Sequence, residues 1–169
     1  MASTNKKTPP QIMPSWAFLR SHPAHMLSFG FGSGLAQKAP GTWGTLVALP
    51  IFAALQIVLP NPIIFVFCVP LFALGVYAAE LTGRALGVSD YGGIVIDEIV
   101  AMMMVLCFTP NTPLAWLLAF ALFRLFDIIK PWPISWFDRR VKGGLGVMLD
   151  DLIAALFAIA GIIGLSCFI

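Results

Sequence analysis

Apolar residues fall along this chain in five runs, Thr45 to Leu59, Ile63 to Ala79, Ile99 to Phe108, Leu114 to Phe123 and Leu152 to Ile169. Short turns carrying proline or polar residues separate them. Runs this continuous read as helices facing lipid, because a backbone in hydrocarbon must satisfy its own hydrogen bonds. The pattern predicts an all-α, multi-pass integral membrane bundle of about five short, partly broken helices. A helix rising 1.5 Å per residue needs about twenty residues to cross a hydrocarbon core of about 30 Å. None of the inner three runs is a clean span of that length, so the third and fourth must borrow polar residues. Ahead of the runs, Lys6, Lys7 and Arg20 are interspersed with Pro9, Pro10 and Pro14, without an apolar stretch of signal-peptide length. This predicts a retained, loosely structured arm over residues 1–28 and a membrane domain over 29–169.

Composition agrees with the pattern. Of 169 residues, 59% are apolar and 11% charged, against about a quarter charged in a soluble domain. So few polar residues cannot cover a globule of this size, which excludes a soluble domain, a disordered chain and a secreted disulfide scaffold. Cys68, Cys107 and Cys167 lie within apolar runs without C-x-x-C pairing and read as small hydrophobes.

The distribution of charge adds an orientation. With the N-terminus inside, the turns Pro60 to Pro62 and Thr109 to Pro113 face outward and contain no ionisable side chain, so every Lys, Arg, Asp and Glu falls on one side. The basic residues are Lys6, Lys7, Arg20 and Lys38 in the arm and the approach to span one, Arg84 between spans two and three, and Arg124, Lys130, Arg139, Arg140 and Lys142 after span four begins. The positive-inside rule makes that side cytoplasmic. It predicts a multi-pass membrane protein with its N-terminus and its charged helix ends on the cytoplasmic side.

Counting back from Thr109, Asp97 lies twelve residues deep, about 18 Å from the outer surface. Asp127 lies fourteen residues from Pro113, about 21 Å, with Arg124 shallower. Charges at such depth need one another or a wet cavity. Arg124, Asp127 and Lys130 repeat every three residues and share one arc of their helix. A structural ion-pair network would account for a lone pair. It does not account for Asp97, Glu98, Asp127, Asp150 and Asp151 gathered against only Arg124 and Lys130, since two cations cannot neutralise five acids. A divalent metal resolves the excess, and clustered carboxylates suit Mg²⁺.

Residues 30–45 read GFGSGLAQKAPGTWGT, with five glycines before span one. The segment is neither a P-loop nor a dinucleotide fingerprint. A flexible loop leading into the membrane explains the glycines alone, whereas Ser33, Lys38, Thr42 and Thr45 add hydroxyls and a cation suited to phosphate. Residues 90–98 read DYGGIVIDE before span three, and 142–151 read KGGLGVMLDD before span five. Helix capping explains either Asp150 or Asp151, but not both. Residues 123–138 read FRLFDIIKPWPISWFD, where Pro131 and Pro133 end a helix and Trp132, Trp136 and Phe137 suit the lipid interface. The adjacent bases would also draw an anionic headgroup toward the pocket.

In this order and at these separations, the stretches GSGLAQKAPGTWGT, DYGGIVIDE, FRLFDIIKPWPISWFD and GGLGVMLDD resemble the bacterial phosphatidylglycerophosphatase A family, over nearly all of the chain from about Phe29. The resemblance implies a Mg²⁺-dependent inner-membrane phosphatase that hydrolyses the terminal phosphomonoester of phosphatidylglycerophosphate to phosphatidylglycerol and inorganic phosphate.

Rival phosphatase chemistries lack their residues. A cysteine nucleophile needs Arg six positions later, where Leu74 and Pro113 stand, and Cys167 is too near the end. A histidine nucleophile needs histidines near the later spans, but the only two are His22 and His25. The D-x-D pattern of aspartyl-phosphate enzymes and the phosphatidyltransferase pattern are absent as well. Metal-assisted attack by water remains, with Asp97, Glu98, Asp127, Asp150 and Asp151 around one or two Mg²⁺ ions and Arg124 and Lys130 on the phosphate. Asp97, Arg124, Asp127 and Lys130 form the expected catalytic set, and a carboxylate not committed to metal would be the general base. The expected partners are the phospholipid substrate and membrane lipids, with no nucleic acid. Gly161 and Gly164 are not at GxxxG spacing and identify no dimer face. Two other classes use the same buried charges: a small transporter or channel subunit, and a silent scaffold. The first calls for ionisable residues through the full membrane depth, which this topology does not supply.

Overall fold

The computed structural model describes residues 12–166, which are helical without any strand. Five long helices match the five apolar runs: α3 (Pro40–Gln56), α4 (Asn61–Leu86), α5 (Ile96–Cys107), α6 (Pro113–Ile129) and α8 (Gly143–Ser166). Short helices α1 (Trp16–Ser21), α2 (Pro23–Ser28) and α7 (Ile134–Arg140) and a 3-10 turn over Gly30–Leu35 bring the number above the expected five. The extra elements arise in polar, Pro-rich sequence where an apolar-run criterion has nothing to detect.

Helices α4 and α8 are long and apolar enough to cross a membrane. The second run does not stop at Ala79. Glu80 to Arg84 continue the helix until Gly87, at φ 71°, ends it in the left-handed conformation that glycine accepts most readily. The resulting 26 residues extend about 39 Å. By contrast α5 has twelve residues, about 18 Å. It can be short because it is the centre of the bundle: Val100, Ala101, Met102, Val105 and Leu106 are buried on all its sides, against α3, α4, α8 and α6. A helix apolar all round is a core helix. Cys68 is likewise buried in this core, as a small hydrophobe would be, whereas Cys167 lies outside the described residues.

The outer helices close around α5 through specific contacts. Gln56 donates to Asn61 Oδ1 at 2.8 Å, and Asn61 donates to the Cys107 carbonyl at 3.1 Å, tying the outer α3–α4 turn to the end of α5. Helices α3 and α6 run antiparallel, their register set by Phe52 edge-on to Trp116 at 5.9 Å and by Thr45 facing Arg124. Phe126 meets Phe157 at 5.5 Å between α6 and α8.

Residues 12–28 are not the loose arm expected from their prolines. Ser15 caps α1, and Pro23 starts α2, as a residue without an N–H can do at no cost to the helix. The pair folds onto α4 because Leu19, Phe29 and Leu86 close a second small core with Phe18 and Tyr91 against it. His25 stacks on Phe18 at 4.3 Å and contacts Thr82 Oγ1 at 2.9 Å. Thr82 in turn donates to Ser28 Oγ at 3.0 Å, and the Ser28 carbonyl accepts the Val95 N–H at 2.8 Å. Lys6 and Lys7 lie outside the described residues.

Candidate active site

The inner ends of α3, α5, α6, α7 and α8 surround a cavity of about 390 Å³. Asp97 and Glu98 occupy the first turn of α5, where the helix dipole favours negative charge. Helix α8 starts at Gly143, which places Asp150 and Asp151 two turns inside it rather than at its cap. Capping therefore explains neither acid. Asp97, Asp150 and Asp151 are all buried. Asp97, Glu98 and Asp151 each offer a carboxylate oxygen, and the three oxygens lie within 4.8 Å of one another.

The two cations do not balance this group. Arg124 Nη1 lies 2.5 Å from Asp127 Oδ2 and 3.9 Å from Glu98 Oε1, and donates to Thr45 Oγ1 at 3.4 Å. Lys130 Nζ bridges Asp138 Oδ1 at 2.8 Å and Asp150 Oδ2. Burial alone would favour a neutral amine at Lys130, but Asp150 and Asp138 outweigh it and hold the ammonium above its ordinary range. Asp97 Oδ1, Glu98 Oε2, Asp150 Oδ1 and Asp151 Oδ2 remain buried without a hydrogen-bond partner among the described residues, as does Arg124 Nε. Orphaned buried carboxylate oxygens are costly unless something is meant to bind them. Asp97 and Glu98 on α5 and Asp151 on α8, converging from two helices, fit a hard divalent cation that keeps part of its water shell.

Local backbone shapes this cavity as much as side chains do. Ala39, at φ 48°, starts α3, and Lys130, at φ 46°, ends α6. Both line the cavity in a left-handed conformation that residues with a Cβ seldom adopt, the kind of strain that collects at functional sites. The turn at Lys130 carries its side chain back toward α7 and α8. Gly41, one residue into α3, leaves the space that Glu98 Oε1 uses, since any Cβ there would collide with that oxygen.

The cavity thus gathers Asp97, Glu98, Arg124, Asp127, Lys130, Asp150 and Asp151. Asp127 and Asp150 pair with the cations, and Asp127 also lies within hydrogen-bond reach of Asp151. Ser33, Lys38, Thr42 and Thr45 lie outside the cavity wall. The Ser33 hydroxyl donates to the Gly30 carbonyl at 3.0 Å, and Thr45 is buried, donating to the Gly41 carbonyl at 2.8 Å while receiving Arg124. Asp138 was not singled out by spacing. It lies eight residues past Lys130 on a separate helix, and only the Pro-Trp-Pro turn hints that the chain doubles back. Asp90 and Lys142 also line the cavity.

A family model described as Phosphatidylglycerophosphatase A matches residues 26–166. A protein of Haemophilus influenzae named Phosphatidylglycerophosphatase A is 45% identical over 139 residues, covering 82% of this chain and 85% of its own. One of the same name from Escherichia coli K12 is 43% identical over 144 residues, covering 85% and 83%. A protein of Bacteroides thetaiotaomicron, provisionally named a phosphatidylinositol-3-phosphatase, is 37% identical over 140 residues, covering 79% and 87%. No solved structure matches.

Proposed function

The chain belongs to the phosphatidylglycerophosphatase A family and is a phosphoric monoester hydrolase. On that premise we propose that the carboxylate cavity is the active site, that Mg²⁺ binds there, and that the substrate is the terminal phosphomonoester of phosphatidylglycerophosphate. The single observation that carries the metal reading is the triad of Asp97, Glu98 and Asp151, each bringing one carboxylate oxygen to within 4.8 Å of the others.

Asp97, Glu98 and Asp151 would hold the metal. Bound there, it would supply charge against the phosphoryl oxygens and lower the pKa of a coordinated water. Arg124 would present its guanidinium to the phosphate, oriented by Asp127 and Glu98, and Lys130 would add a second positive charge, oriented by Asp138 and Asp150. Phosphoryl transfer asks chiefly for this positioning of positive charge around a loose transition state. A carboxylate oxygen of the group left uncommitted to metal would take the proton of the attacking water.

The Asp, Glu, Lys and Arg side chains of the described helices fall toward the cavity end of the bundle, and by the positive-inside rule the bases among them support a cytoplasmic position for that end. The proposed location is the bacterial inner membrane, with substrate drawn from its inner leaflet. The same placement disfavours a transport path, which would need polar residues through the outer half.

The test is phosphate release by purified protein in detergent. Phosphatidylglycerophosphate should be hydrolysed with Mg²⁺, lose turnover in EDTA and regain it when Mg²⁺ is restored, and Asp151→Asn should abolish the restored activity. Full turnover in EDTA would overturn the metal reading. Preferential release from phosphatidylinositol 3-phosphate would overturn the substrate assignment.

A further inference from the structure

A pocket that acts on a lipid headgroup must leave room for the rest of the lipid, and the α3–α6 boundary provides it. Ile128 lines the carboxylate cavity and is also 69% exposed on the outer surface of α6. One side chain thus joins the carboxylate cavity to the exposed apolar surface of α6. Above it, Leu125, Ala121 and Leu117 follow at helical spacing along one exposed apolar stripe. The antiparallel register set by Thr45–Arg124 and Phe52–Trp116 puts Leu46, exposed on α3, at about the height of the middle of this stripe.

The length of the stripe matches the lipid. Eleven residues separate Leu117 from Ile128, about 16 Å of helix, close to half of a hydrocarbon core of about 30 Å. Polarity changes where a lipid's does: Arg124 and Lys130 stand at the cavity end, and no ionisable residue interrupts the stripe above it.

Resting on the phosphatase reading of the cavity, we propose that the α3–α6 boundary is the acyl-chain site, with the diacylglycerol part of the substrate lying on the Leu117–Ala121–Leu125–Ile128 stripe and its headgroup passing Ile128 into the carboxylate pocket. The enzyme therefore takes substrate laterally from the leaflet and discriminates by chain length as well as by headgroup.

Two measurements test this. Ala121→Trp fills the boundary from a lipid-facing position, and Leu156→Trp places the same bulk on an exposed position of α8 away from it. The ratio of kcat/KM for dioleoyl over dihexanoyl phosphatidylglycerophosphate should fall about tenfold in Ala121→Trp, through KM for the long-chain lipid, and stay at the wild-type value in Leu156→Trp. An unchanged ratio in Ala121→Trp, or an equal fall in both variants, would overturn the site. Independently, phosphatidic acid with a diazirine on one acyl chain should label α3 and α6 peptides of the wild-type protein in EDTA, and excess phosphatidylglycerophosphate should suppress that labelling. Labelling spread equally over α4 and α8, or indifferent to the competitor, would overturn the proposal. The label map needs no turnover, so absent phosphate release would count against the phosphatase reading while the acyl site is still judged.

Discussion

Glu80 of α4 accepts the backbone N–H of Gly144 at 2.7 Å and the Arg84 Nε at 2.7 Å, clamping the start of the helix that carries Asp150 and Asp151. A carboxylate at a helix N-terminus satisfies an orphan amide and complements the dipole. Glu80→Ala should cost about 1 kcal/mol, the usual size of a lost cap, and raise amide exchange over residues 143–147. Activity should fall less than for Asp151→Asn, because Glu80 touches the frame of the site rather than the cavity. Unchanged exchange at the start of α8 would show that packing alone holds it.

Gly41 gives a sharper steric test. The backbone of α3 comes so close to Glu98 Oε1 that Gly41→Ala must displace one of them. The expected outcome is a loss of about 1–3 kcal/mol, the scale of overpacking in a close-packed interior, with turnover reduced well beyond the fraction of protein unfolded. Thermal unfolding and phosphate release on the same sample check both. A fully active, equally stable Gly41→Ala would mean that Glu98 has slack to move.

Arg124 holds Asp127 with one nitrogen while its Nε is buried without a partner. Lysine keeps the charge but not the planar fork. Arg124→Lys should therefore lower kcat by about tenfold or more while the thermal midpoint stays within a few degrees of wild type. Wild-type kcat in this variant would return Arg124 to a purely structural part.

The arm carries a pH dependence. Burial, reinforced by neighbouring His22, lowers the pKa of His25 from its ordinary value near 6.5. The undocked arm then takes up a proton at higher pH than the docked one. Docking is fully stable above about 6.5 and weakens as pH falls below it. Hydrogen exchange over residues 16–28, followed from pH 7.5 to 5.5, should rise as pH falls, and His25→Gln should flatten the dependence. A flat profile in the wild-type protein would contradict it.

The distribution of apolar runs was enough to predict the membrane class, all-α architecture and five principal helices, because hydrocarbon admits few backbone solutions and lipid tolerates few charges. Charge excess pointed to Asp97, Glu98, Asp127, Asp150 and Asp151, since unbalanced acids at that depth need a common reason. What the one-dimensional pattern could not convey was their arrangement. Asp97, Glu98 and Asp151 converge because α5 and α8 pack side by side, and Asp127 and Asp150 join Arg124 and Lys130 to the same cluster. Where the hydroxyls of Ser33 and Thr45 point likewise depended on how the glycine loop folds, and both donate to backbone carbonyls. Asp138 and Ile128 carried no signal in spacing, because their relation to the cavity depends on the reversal after Lys130 and on how α3 meets α6. Solvation energy is additive along a chain and legible from it, whereas which oxygens face one another is a property of packing between segments far apart in sequence, and only the tertiary structure decides it.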